Sequence, residues 1–151
     1  MATLPRLAHR LMRLKWRITR PLTVGVKVLL VRDEEVLLVR HSYQDLWFLP
    51  GGGVKKGETF EAAVRREARE EVGGALRDLR LHGVFSNFSE AKSDHIAVFV
   101  CTDFTVEPDG SWEIEAAQFF PLDALPPDCA NGERRRIGEY LDGHGPYFGR
   151  W

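Results

Sequence analysis

Residues 59–72, TFEAAVRREAREEV, constrain the chain more than any other stretch, because they form an amphipathic helix with acids on its apolar side. At ~100° per residue, Phe60, Ala63, Val64 and Ala68 define one apolar face. Glu67 and Glu71 project from that same sector and Glu70 sits at its edge, whereas Glu61, Arg65 and Arg69 occupy the solvent side. Like charges at i,i+3 and i,i+4 destabilise a helix by a few tenths of a kcal/mol each, so Glu67 facing Glu70 and Glu71 is costly. A surface helix laced by Glu61–Arg65 and Arg66–Glu70 ion pairs is the alternative reading, but it leaves the inward acids unexplained. Arg66 reaches Glu70 and cannot neutralise three carboxylates. A hard divalent cation can, since Mg²⁺ prefers oxygen ligands and is held by a few carboxylates together with substrate phosphates.

The flanks of this helix are punctuated. Thr59 is an N-cap residue and Gly73-Gly74 a C-terminal stop. Before it, the Trp47–Glu58 stretch, WFLPGGGVKKGE, reads as a loop: Pro50 and three glycines exclude regular structure. Gly51–Glu58 gives backbone that can approach a ligand closely, with Lys55 and Lys56 expected in solvent. A phosphate-binding P-loop is excluded, because Gly57 is followed by Glu58 and not by Lys-Ser/Thr. Elsewhere the apolar period is two. Thr23–Val31 and Glu35–His41 read as strands around a tight turn at Asp33-Glu34. Further strands are expected at Leu79–Phe88 and Ile96–Phe104, with SEAKSD between them, then a turn at EPDGS, a strand at Trp112–Phe120 and a last helix at Asn131–Leu141. Interleaved strands and helices without repeats or linkers predict one α/β domain with a mostly antiparallel or mixed sheet.

Charge placement adds what net charge hides. The 151 residues total −1, yet residues 1–20 hold six basic residues (Arg6, Arg10, Arg13, Lys15, Arg17, Arg20) and no acid, leaving −7 on residues 21–151. An acidic body argues against DNA binding, which requires a basic face. Leu4, Leu7, Ala8, Leu11, Leu14 and Ile18 form one stripe of a helix ending at Pro21. Packing of that stripe on the domain behind it is the expectation; contact with an anionic membrane or RNA is the alternative. No apolar run is long enough to span a bilayer, which takes ~20 residues. Interruption of the stripe by Arg and Lys disfavours a secretory signal. Cys101 and Cys129 make neither a disulfide framework nor a Cys-type zinc site, so a reducing interior such as the cytoplasm is expected.

Gly52, five residues, Glu58, seven residues, then Arg66-Glu67-Ala68-Arg69-Glu70-Glu71-Val72-Gly73 resembles the Nudix box. EEVLLVRHSYQDLWFLPGG before it and FFPLDALP after it are also similar to that family, over most of residues 22–142. Gly74 stands where the family has an aliphatic residue, so a difference in packing is expected there. The resemblance implies an α/β/α sandwich with a mixed sheet. It also implies hydrolysis of a diphosphate linked to another moiety, with Mg²⁺ or Mn²⁺ as cofactor. In that chemistry the metal polarises phosphorus, neutralises transition-state charge and lowers the pKa of the attacking water.

Residue by residue, the resemblance sets Glu67, Glu70, Glu71 and Arg66 as the catalytic group, with Glu67, Glu70, Glu71 and Gly51 at the metal. Arg66 and Glu58 would tie loop to helix. The general base is Glu67 or a glutamate from a later loop, for which Glu113, Glu115, Glu90 and Asp94 are open. Toward the substrate stand Arg40, Glu58 and Phe88, with Tyr43, Trp47 and Phe85 as further stacking candidates and Trp47 expected in the core. His41, His82 and His95 lack metal-ligand spacing and are expected to be structural or solvent-facing. The segment FSNFSEAKSD lacks both the proline of ADP-ribose-type members and the tyrosine of dinucleoside polyphosphate hydrolases. A small nucleotide such as a (deoxy)nucleoside triphosphate is therefore expected, and a homodimer is compatible with the family. The competing hypothesis is a non-catalytic Nudix-like module that binds or senses a nucleotide.

Overall fold

The computed structural model describes residues 4–107 and 111–151. In chain order the elements are α1 (Leu4–Thr19), β1 (Leu22–Arg32), β2 (Glu35–His41), β3 (Trp47–Phe48), β4 (Gly51–Gly53), α2 (Phe60–Val72), β5 (Ala75–Leu76) and β6 (Arg80–Asn87). There follow β7 (Ser93–Cys101), β8 (Phe104–Thr105), β9 (Ile114–Pro121), α3 (Asn131–Asp142) and β10 (Tyr147–Arg150). The main sheet runs β10-β6-β7-β1-β2-β3, with β4 on β1 and β9 on β2. It is mixed: β1 runs parallel to β7 and β10 parallel to β6, and the other pairs of this sheet are antiparallel.

Helices cover both faces, and β1 shows why the chain reads there as a nearly continuous apolar run. Val26, Val28 and Leu30 pack with Leu37 and Val39 against Ala63, Val64, Ala68 and Val72 of α2. Their neighbours Leu29 and Val31 pack with Val36, Leu38 and Val98 against Ile137 of α3. Alternate residues of one strand thus serve two cores, each buried side chain contributing ~1.5–3 kcal/mol. The architecture is the expected α/β/α sandwich.

Several expectations need correction. The glycine run is not wholly irregular: Gly51, Gly52 and Gly53 pair with Lys27, Val26 and Gly25. Glycine weakens a strand without forbidding its ladder, and the lack of side chains lets β4 lie close against β1. Phe60 is half exposed and lies outside the core. The strand expected at 96–104 begins at Ser93, where it pairs with Leu22, and ends at Cys101. Most of the expected EPDGS turn lies outside the described residues. In α1, Leu7, Leu11, Leu14 and Ile18 do not pack on the domain; all four are exposed. The helix is held instead by Arg6 to Asp45 (2.9 Å), Arg13 to Glu90 (3.2 Å) and Trp16 beneath the Lys92 ammonium. No helix among the described residues is long and apolar enough to cross a membrane.

Candidate active site

The site is built on α2. Thr59 caps it by accepting from the Ala62 N–H at 3.1 Å, and Gly73 ends it in the left-handed conformation. Arg66 then ties helix to loop. Its guanidinium donates to both oxygens of Glu58 (2.8 and 2.9 Å), to the Gly53 carbonyl (3.0 Å), to Glu67 (2.6 Å) and to Glu70 (3.2 Å). The planar fork suits this task, because several donors act at once in fixed geometry. These bonds, Glu58 first, hold the guanidinium's pKa above its ordinary value, and the same contact pulls the Glu58 carboxyl down to about 2. Both surface pairs of the alternative reading form, Glu61–Arg65 at 2.9 Å and Arg66–Glu70, but they do not account for Glu67 or Glu71.

Those two carboxylates turn into a cleft of about 590 Å³, floored by β1 and β4 and walled by α1. Glu71 is 7% exposed; burial pushes its pKa up to about 8, against the pull of the Gly51 N–H (2.9 Å) and Lys27. Burial also raises Glu67. Glu113 lines the same cleft. Tyr43, facing all three carboxylates, is pushed up to about 12, by burial first and then by Glu71, Glu113 and Glu67. His41 lies 3.8 Å from Glu71 with its pKa lowered to about 4 by burial, Lys27 and His9, so at neutral pH it carries no compensating charge. Its buried Nδ1 makes no hydrogen bond among the described residues.

A concentration of buried carboxylate oxygen that resists ionisation is what a hard dication relieves, so the donor set fits Mg²⁺ or Mn²⁺. Among the described residues, no three His, Cys, Asp or Glu side chains are already gathered as a metal cage. Part of the cause is visible: Arg66 occupies Glu70 and one oxygen of Glu67. Two adjacent glycines shape the rim. Gly51 has φ +154°, and a Cβ there would meet the Val26 carbonyl at 2.1 Å; at Gly52 a Cβ would lie 2.5 Å from Glu67 Cδ.

Of the residues singled out in the sequence, Glu67, Glu71 and Gly51 meet in the cleft. Tyr43, Glu113 and Asp94 join them. Glu70 stays at the exposed edge with Arg66. Arg40 is not brought to the cleft: it pairs with Asp128 at 2.5 Å and stacks on Trp47. Phe88 is also elsewhere, exposed beside His95 and Arg150. Glu58 faces Arg66 and the Lys55 N–H and does not line the cleft. Trp47 and Phe85 are core, and Glu115 is exposed.

Three cleft residues were missed in the sequence or assigned otherwise. Lys27 is the cleft's buried-side cation, paired with the fully buried Glu133 at 2.8 Å and lying over Phe48 and Trp151. A single lysine inside the apolar strand VGVKVLL was the available signal. Glu133 carried none, since it sits in a charged, helical-looking run. His41 is a cleft residue, and only its position at the end of β2 hinted at that.

A family model described as NUDIX domain matches residues 21–141. The chain is 32% identical over 132 residues to an ADP-ribose pyrophosphatase of Methanocaldococcus jannaschii, spanning 84% of this chain and 78% of that protein. It is 38% identical over 129 residues to the NAD-capped RNA hydrolase NudC of Pseudomonas aeruginosa, spanning 80% of this chain but only 42% of that longer protein. Among solved structures, a MutT NUDIX hydrolase from Burkholderia pseudomallei superposes with a TM-score of 0.71 at 30% identity, over 78% of this chain and 97% of that one.

Proposed function

The chain belongs to the Nudix family as one of its pyrophosphohydrolases, and from that premise we propose that hydrolysis takes place in the cleft over Glu67 and Glu71. The bond broken is the diphosphate of a nucleoside triphosphate or a nucleoside diphosphate-linked substrate. The observation that carries this reading is Glu71, a carboxylate buried on the apolar side of α2 and aimed into a cavity that also receives Glu67 and Glu113.

Glu67 and Glu71, with Glu70 beside them on α2 and Gly51 against Glu71, would hold the divalent cation, Mg²⁺ or Mn²⁺. When bound, the cation supplies charge neutralisation at the phosphate oxygens and a lowered pKa for the attacking water. The Lys27 ammonium, which also lines the cleft, meets a phosphate oxygen and balances part of its charge. Arg66 fixes the Glu67 carboxylate through one oxygen. Glu67, or Glu113 from the loop before β9, accepts the proton of the attacking water. Oxygen of that water bonds to phosphorus as the bridging P–O bond breaks, giving two phosphate-bearing products.

The preferred substrate class is a small (deoxy)nucleoside triphosphate, on the motif grounds given above; the archaeal relative named ADP-ribose pyrophosphatase makes ADP-ribose the necessary comparison. Unpaired, buried Cys101 and Cys129 suit a reducing compartment such as the cytoplasm. The test is hydrolysis of nucleoside triphosphates, nucleotide sugars, ADP-ribose, dinucleoside polyphosphates and capped RNA with each metal, by wild type and Glu71→Gln. The substitution should remove activity at least ~10²-fold while the thermal transition is kept. Wild-type turnover by Glu71→Gln on every active substrate would overturn the site assignment.

A further inference from the structure

We propose that α1 is an interfacial helix that docks the enzyme on an anionic lipid surface. One face of the helix, with its borders, is already used. His9, Met12 and Trp16 line the hollow beside the cleft, His9 stacking on Tyr43 at 5.1 Å. Arg6 and Arg13 border that face and pair with Asp45 and Glu90. The opposite face consists of Leu7, Leu11, Leu14 and Ile18, at 49, 61, 57 and 80% exposure, with Leu22 at 73% following in β1. Spacing of three and four places these aliphatics in one stripe. Burying such a stripe in the body would have been favourable, and the fold turns it outward instead.

The flanks of the stripe identify its occupant. At ~100° per residue, Arg10 and Arg17 fall on one border and Lys15 on the other. Among the described residues, none of the three makes an ion pair. Residues 1–20 contain no acid, while the rest of the chain carries −7. Aliphatic side chains between unpaired cations match the boundary between acyl chains and anionic headgroups. A second copy packed stripe to stripe would bring two sets of guanidinium groups together with no carboxylate on either helix. RNA would use the cations and leave the four aliphatics in water. The stripe and the cleft-lining face lie on different sides of α1, so docking leaves the cleft open.

The experiment is co-sedimentation of the full chain with vesicles of phosphatidylglycerol and phosphatidylcholine, or of phosphatidylcholine alone. Wild type should partition onto the anionic vesicles at least ~tenfold more strongly, and less so as salt rises. The variant Leu7→Gln/Leu11→Gln/Leu14→Gln/Ile18→Gln keeps good helix formers and should lose partitioning ~hundredfold with hydrolysis of a soluble substrate unchanged. Arg10→Gln/Arg17→Gln should lose it ~thirtyfold, at ~1 kcal/mol for each basic side chain near the surface. Absence of wild-type binding to the anionic vesicles overturns the proposal, as does undiminished binding by both variants. A wild-type dimer that the quadruple variant dissociates, without vesicle binding, overturns it in favour of a second copy. Binding to homopolymer RNA that only the arginine variant weakens, without vesicle binding, overturns it in favour of RNA.

Discussion

Gly51→Ala and Gly52→Ala are the same change at neighbouring positions, and the structure assigns them opposite consequences. An added Cβ at Gly52 would lie 2.5 Å from Glu67 Cδ and 2.6 Å from each carboxylate oxygen, whereas ordinary contact begins at 3.4 Å. The carboxylate must therefore retreat by ~1 Å, a misplacement of the size that can cost ~10²-fold in rate. Retreat also strains the 2.6 Å bond from Arg66 that aims the group. Little else changes, because the obstacle is the end of a flexible side chain; the stability loss should stay below ~1 kcal/mol. At Gly51 the φ of +154° is one that alanine rarely adopts, and the Cβ would strike the Val26 carbonyl at 2.1 Å and Lys27 Cα at 2.8 Å. Backbone cannot step aside as a carboxylate can. Strain of ~1–3 kcal/mol, added to damaged β4–β1 pairing, predicts a loss of about 3 kcal/mol or more. Urea denaturation measures the stabilities, and product release at saturating substrate measures kcat. Gly52→Ala at wild-type kcat, or as unstable as Gly51→Ala, would refute the argument that Gly52 exists to seat Glu67.

Two further predictions concern buried or bonded charges, one remote from the cleft and one in its lining. Asp78 accepts from the Thr102 and Asp103 N–H groups (2.9 and 2.8 Å), the Thr102 hydroxyl (2.6 Å) and the Cys101 thiol (3.1 Å), and these bonds, the Thr102 hydroxyl first, hold its pKa below the ordinary range. A depressed carboxyl contributes stability that is present above its unfolded pKa and lost as pH falls through the folded value, so the contribution should fade below about pH 4. Asp78→Ala should cost about 2–3 kcal/mol at pH 7 and flatten that acid limb in denaturation curves. Lys27→Met leaves Glu133 buried without its cation and should cost about 3–5 kcal/mol, whereas adding Glu133→Leu should recover most of the loss. A double variant no more stable than Lys27→Met would show that the pair does not act as a unit.

How far the sequence reveals this molecule depends on whether a residue's role is local. The helix over 60–72, its Thr59 and Gly73 ends and the inward Glu67 and Glu71 follow from spacing alone, because helical geometry sets all of them within a few residues. The hairpin turn at Asp33-Glu34 is local too, and both residues adopt positive φ there. The two-residue pair β5–β8 and the parallel strand β10 escape notice, since neither is long enough to show a period and each pairs with a strand distant in sequence. Arg40 shows the limit from the other side. The sequence sets it toward the substrate, but its partner Asp128 comes from a loop 88 residues away.

Lys27 carries the same lesson further. Whether a lysine in an apolar strand is snorkelling, paired or catalytic is decided by what packs over it, and here that is Glu133 of α3 and Trp151, both from the far end of the chain. The pair holds the cation in the cleft lining, on the strand position beside Gly51, and there Lys27 lowers the proton affinity of Glu71 and of His41 alike. The polarity of the cleft therefore depends on a fold-level contact that joins the first strand to the last helix. α1 repeats the pattern at larger scale: periodicity gives the helix and its leucine stripe, but only Glu90, Asp45 and Lys92 decide which face docks. Once those three hold the opposite side, the aliphatic stripe faces away from the described residues of this chain, which leaves it free for the lipid surface proposed for it.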